Sequence, residues 1–129
     1  MAAGSERRVS DPFTRDCPGR TVLDHISSRW GVLILSALAP GPLRFFQLRD
    51  KVEGISDKIL IQNLRLLTGD GLIERTVVPT SPPKVSYALT DLGHGLSLPL
   101  QGLIDWITEH SVDIVDARRR AAHPHAHET

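Results

Sequence analysis

The run Pro79-Thr80-Ser81-Pro82-Pro83 puts three prolines into five residues and divides the second half of the chain. Proline has no backbone N–H to donate, so this run cannot pair within a sheet and must be a loop, with Lys84 at its end. Before it, Leu72-Ile73-Glu74-Arg75-Thr76-Val77-Val78 is β-branched enough for a strand, and after it Val85, Tyr87 and Leu89 alternate as in a half-buried strand. The expected element is a hairpin with a long proline-rich tip.

Upstream of the hairpin, Thr68-Gly69-Asp70-Gly71 ends a helix that Ser56 opens, because a serine hydroxyl can accept from an otherwise orphan backbone N–H. Leu60, Leu64 and Leu67 share the core face of this helix, which turns Lys58, Ile61, Gln62 and Arg65 outward. Glu53-Gly54-Ile55 separates it from a short helix with Phe45, Leu48 and Val52 on one face. Pro40-Gly41-Pro42 closes the apolar segment from Trp30 to Leu38, which would also suit a buried strand and is read as a buried helix. Ahead of it, Val22, Leu23, Ile26 and Trp30 share one face of a first helix that opens at Pro18 and ends near Ser28. After the hairpin, Thr90 or Asp91 caps a long last helix, lined by Leu92, Leu96, Leu103 and Ile107 and kinked at Pro99.

Residues 1–16 show no apolar period and are expected to be a flexible arm, residues 17–115 a single domain, and residues 116–129 a polar tail rich in histidine and arginine. A length of 129 residues with 40% hydrophobic content fits that one domain. Lys+Arg and Asp+Glu both number 15, so total charge points to neither nucleic acid nor membrane, and a basic footprint must come from local placement. The one cysteine, Cys17, cannot form an intrachain disulfide, and the first residues lack a secretory apolar region, so a reducing, cytoplasmic setting is expected. The apolar stretch from Gly31 to Ala39 falls well short of the ~20 residues of a membrane-spanning helix.

The order helix, helix, short helix, tight turn, longer helix, two-stranded hairpin, long helix is that of a winged helix-turn-helix, a mainly helical α+β fold. In such a unit the second helix of the pair enters the major groove of DNA, which makes Ser56, Lys58, Ile61, Gln62 and Arg65 the candidate readers of base edges. Arginine pairs two donors with guanine, glutamine can do the same for adenine, and lysine donates to guanine or phosphate. Taken alone, the same residues describe the solvated face that every amphipathic helix has; the element order favours the DNA reading. Lys84 is placed for a wing contact with phosphate or minor groove, or is a plain loop lysine, and Arg44 and Arg49 flank the first helix of the pair as candidate backbone contacts beside Asp50 and Glu53. The stripe Leu92, Leu96, Leu100, Leu103, Trp106 and Ile107 is broader than one small core needs, so part of it is expected to meet a partner.

From Cys17 to about His110 the chain resembles the HxlR-type winged-helix regulators of bacteria and archaea. The resemblance is carried by Asp16-Cys17-Pro18, Arg29-Trp30, Leu33-Ile34-Leu35, Arg44-Phe45, Leu48-Arg49 and Gly54-Ile55-Ser56, and continues through Leu64-Arg65, Asp70-Gly71-Leu72-Ile73-Glu74-Arg75, Pro82-Pro83-Lys84-Val85, Tyr87 and Leu89-Thr90-Asp91-Leu92-Gly93. It implies a homodimer built from the first and last helices, with Val22, Leu23, Leu96, Leu100, Leu103, Trp106 and Ile107 in the interface. It further implies binding of double-stranded DNA at a palindromic operator, with repression more usual than activation. Two positions depart from the pattern: Ser28 stands where a glycine is common, and Asp57 places an acid at the front of the reading helix.

Cys17 resembles the N-terminal cysteine through which some members of that family sense oxidants or electrophiles, and Arg15, Arg20 and a helix N-terminus favour a thiolate there while Asp16 opposes it. A lone cysteine is otherwise a small buried hydrophobe. His123, His125 and His127 alternate without a cysteine or carboxylate cluster to complete a metal site, and His25 and His94 read as structural or helix-face residues. No nucleophile with a base, carboxylate pair or phosphate-cradling loop stands at convincing spacing, so neither an enzyme nor a cofactor is expected. The alternative to DNA binding is a winged-helix module that binds protein and leaves the Lys58, Gln62 and Arg65 face idle; its affinity would depend only weakly on salt.

Overall fold

A computed structural model describes residues 11–15 and 17–123. Its helices are α1 (Pro18–Ser27), α2 (Arg29–Leu38), α3 (Phe45–Lys51), α4 (Asp57–Gly69), α5 (Asp91–His94) and α6 (Ser97–Ala122), and its strands are β1 (Leu43–Arg44), β2 (Ile73–Val78) and β3 (Lys84–Leu89). The chain divides into two compact units, residues 1–97 and 98–129.

In the first unit, each helix start has a local cause. Ser28 caps α2 through Gly31 N at 3.0 Å, Ser56 caps α4 through Ile59 N at 3.2 Å, and Thr90 caps α5 through Gly93 N at 3.0 Å. The break between α3 and α4 turns on Gly54, whose φ of +87° is a conformation that side-chain-bearing residues rarely adopt. The core is apolar: Ile34, Leu35 and Leu38 of α2, Leu48 of α3, Leu60, Leu64 and Leu67 of α4, and Ile73 and Leu89 of the sheet are all buried. At about 1.5–3 kcal/mol for each fully buried aliphatic side chain, this cluster is what holds the helices against the sheet.

The expected two-stranded wing is present as the β2–β3 hairpin, and β1 adds a short third strand to its sheet. β3 pairs antiparallel with β2, with Arg75 opposite Tyr87, and also with β1, where Leu43 stands opposite Tyr87, giving the order β1-β3-β2. A two-residue strand shows no alternation to read, which is why it was invisible in the sequence.

The expected single helix from Thr90 onward is corrected. Gly95 and Leu96 separate α5 from α6, and Pro99 becomes the third residue of α6 rather than a mid-helix kink. Proline is tolerated there because the first N–H groups of a helix have no intrahelical acceptor. Gly93 fits because of a close approach: a Cβ at that position would overlap the backbone carbonyl oxygen of Leu72.

The second unit is α6 from Leu98 onward, and the helix runs to Ala122, past the Asp116 at which a tail was expected. Along it Leu98, Leu103, Trp106, Ile107, Val112 and Val115 are exposed, and the Trp106 and His110 rings stack at 4.4 Å. The expected flexible arm lies outside the described residues over 1–10 and at Asp16; its remainder forms a turn closed by Thr14 N to Asp11 O at 3.0 Å. Of the tail histidines, His125 and His127 also lie outside the described residues. Helices α3 and α4 joined by a tight turn, followed by a hairpin, make the first unit a winged helix-turn-helix.

Candidate nucleic-acid interface

The outer face of α4 follows from its inner one. With Leu60, Leu64 and Leu67 driven into the core, Lys58, Ile61, Gln62 and Arg65 emerge together on the opposite side, and all four are exposed. They line one shallow depression, which Leu66 joins. Ile61 is 41% and Leu66 38% exposed, so the face mixes two apolar side chains with three that can donate hydrogen bonds. Such a mix suits base edges, where donors meet purine acceptors and apolar groups meet the thymine methyl. Ser56, also expected to read bases, is occupied in capping the helix through Ile59 N. Neighbouring Asn63 bonds back to the Ile59 carbonyl at 2.9 Å and is half-buried, so it does not belong to the outer face.

Two of the expected backbone contacts have partners of their own. Arg49 Nη1 lies 3.3 Å from Asp57 Oδ1, which joins the end of α3 to the start of α4. The acid that departs from the family pattern therefore neutralises an arginine expected to meet phosphate. Arg44 carries its guanidinium 5.6 Å from the centroid of the Phe46 ring and stays exposed, and Lys84 is exposed at the start of β3.

Arg75 was not among the expected site residues. It is exposed on β2 opposite Tyr87, and both line a cleft with Arg65, Ile61, Leu64, Thr68 and Gly69. Strand alternation puts Arg75 on the face of Ile73 and Val77, and only the folded hairpin brings that face to Arg65.

Cys17 is buried and sits at the N-cap of α1. Its sulfur accepts from Arg20 N at 3.2 Å and its thiol donates to the Asp11 carbonyl at 2.5 Å. Arg20 reaches back over the same turn, with Nε 2.5 Å from the Pro12 carbonyl. Of the residues expected at a dimer interface, Leu23, Leu103, Trp106 and Ile107 are 44–53% exposed, Val22 and Leu96 are half-buried, and Leu100 is buried. Val22, Leu23 and Ile26 line a shallow apolar groove with Pro12, Pro18 and Gly19. Among the described residues no cluster of three or more histidine, cysteine or acidic side chains could hold a metal ion, and no helix is long and apolar enough to cross a membrane.

Residues 25–114 match the model of the HxlR-like helix-turn-helix family. The HTH-type transcriptional regulator YtfH of Escherichia coli is 44% identical over 122 residues, which cover 95% of this chain and 97% of that protein. Among solved structures, ytfH from Salmonella typhimurium, which bears a transcriptional regulator's name, superposes with a TM-score of 0.79 at 44% identity, over 85% of this chain and 98% of that one. The redox regulator HypR in its oxidized form gives a TM-score of 0.67 at 31% identity, over 72% of this chain and 96% of that one.

Proposed function

Because the chain belongs to the HxlR-like helix-turn-helix family and is a transcriptional regulator with a DNA-binding fold, we propose that it acts as a homodimeric repressor on a pseudo-palindromic operator in the cytoplasm. The observation that carries this reading is the outer face of α4, where Lys58, Ile61, Gln62 and Arg65 stand free of the core and of one another's opposite charge. In the dimer, two such helices read two half-sites one or two helical turns apart, each good bidentate contact adding about 1–3 kcal/mol of base discrimination. Arg44 and Lys84 hold the backbone, and Arg49 contributes only to the extent that Asp57 releases it. The exposed apolar residues Leu103, Trp106 and Ile107 of α6 offer one surface for a second copy, and Leu23 of α1 offers another.

Cys17 is the proposed point of regulation, its thiol held at a helix N-terminus beside Arg20. An oxidant or electrophile that modified it would break the bond to the Asp11 carbonyl and release the turn 11–15 from α1. The likeness to a redox regulator supports this reading.

Selection of bound duplexes from a random pool, read by sequencing, tests the proposal. Enrichment of a site with two inverted half-sites is expected. A folded, dimeric protein that enriches nothing at low salt would instead assign α4 to a protein partner.

A further inference from the structure

Resting on the reading of α4 as the helix in the major groove, we propose that Arg75 and Tyr87 form a clamp for one DNA phosphate, a contact separate from base reading. Arg75 of β2 and Tyr87 of β3 are register partners on one face of the hairpin, and that face meets the C-terminal half of α4 across a cleft floored by Ile61 and Leu64 and edged by Arg65 and Thr68. No carboxylate lines the cleft. The ion pairs among the described residues are His25 with Asp70 and Arg49 with Asp57, so neither Arg65 nor Arg75 has an acidic partner. Tyr87 is half-buried and stands between Leu43 of β1 and Arg75 of β2.

Two guanidinium groups and a phenol around one opening, with no counter-charge, form a site for an oxyanion. Guanidinium presents paired donors that match phosphate oxygens, and tyrosine adds a third donor. The position selects the source of that anion. With α4 in the major groove and the hairpin tip at the adjacent minor groove, the sugar-phosphate ridge between the two grooves must pass between helix and hairpin. The cleft is the concavity between those same two elements. Arg65, which lines both the cleft and the outer face of α4, marks the border where base contact gives way to backbone contact.

The test is a salt titration of the full-length protein on its selected duplex and on a shuffled duplex, with wild type, Arg75→Gln, Tyr87→Phe and Arg118→Gln. Arg118 lies on α6 in the other unit and controls for the loss of one positive charge. Each phosphate contact adds about 0.9 to the slope of log K against log salt. Arg75→Gln is expected to flatten the slope by about one, to weaken both duplexes equally by about tenfold, and to leave the selected sequence unchanged. Tyr87→Phe is expected to weaken both duplexes a few-fold at constant slope, and Arg118→Gln to change neither duplex. An unchanged slope in Arg75→Gln, with melting temperature preserved, overturns the clamp while leaving the DNA-binding reading intact, and so does a changed base preference. Inorganic phosphate that raises the melting temperature of wild type but not of Arg75→Gln, at unchanged DNA slope, assigns the cleft to a small anion and also overturns it. A wild type that binds neither duplex overturns both proposals.

Discussion

His25 Nδ1 lies 2.6 Å from Asp70 Oδ2, tying α1 to the residue that caps the C-terminal end of α4. Both side chains are mostly buried, at 19% and 13% exposure, so solvent screens the pair little. A hydrogen bond to a charged group of this kind contributes about 1.5–3 kcal/mol, and removing one partner strands the other. His25→Ala and Asp70→Ala are each expected to lower stability by that amount in urea unfolding. The double variant should lose clearly less than the sum, because the two act as one unit; full additivity would show that the contact stabilises nothing.

The pair of Arg49 and Asp57 makes the opposite case, since both groups are about half exposed. Exposed ion pairs contribute about 0–1 kcal/mol, so Asp57→Asn is expected to change stability little. It frees Arg49 and removes a negative charge from the front of α4, so affinity for every duplex should rise and the salt slope should steepen. Weaker binding by Asp57→Asn, measured by fluorescence anisotropy, would mean that the carboxylate itself contacts a base.

Two glycines should respond with opposite sign. Gly93→Ala drives a methyl into the Leu72 carbonyl oxygen and is expected to cost about 1–3 kcal/mol. A Cβ at Gly102, inside α6, meets nothing within 4 Å, so Gly102→Ala should gain about 0.5–1 kcal/mol from reduced chain entropy. Thermal unfolding of both variants checks the pair: an unchanged Gly93→Ala would contradict the close approach at Leu72, and a loss in Gly102→Ala would contradict the open space at Gly102.

Cys17 predicts a difference in labelling. Its sulfur is buried under the 11–15 turn, so a bulky thiol reagent should react far more slowly with native than with unfolded protein, while a small electrophile should react and weaken DNA binding. Cys17→Ala should bind DNA as wild type does and lose that response. Equal inhibition of Cys17→Ala would remove the cysteine from regulation.

Those parts of the fold set by periodicity and punctuation were legible in the sequence. The leucines of α4 announced its buried face, and Pro79 to Pro83 announced the hairpin. β1 was not legible, because two residues carry no period. The split between α5 and α6 was hidden because Leu92, Leu96, Leu100 and Leu103 keep helical spacing across it, while the contacts that hold α5 in place, Gly93 against the Leu72 carbonyl and Thr90 donating to the Gly71 carbonyl at 2.6 Å, exist only in the folded chain. The outer face of α4 could be read from its inner one. Arg75 could not, because its place beside Arg65 requires the hairpin to be folded against the helix. The partnering of Arg49 by Asp57 likewise appears only once the turn at Gly54 brings α3 and α4 together.

Competition between the selected duplex and one with a single altered base in each half-site, for wild type and Arg65→Ala, tests base reading by α4 most directly. The account predicts that wild type prefers the selected duplex by about tenfold or more at one position, and that Arg65→Ala loses this preference there alone. Identical base preferences in the two proteins would contradict the assignment of α4 as the reading helix.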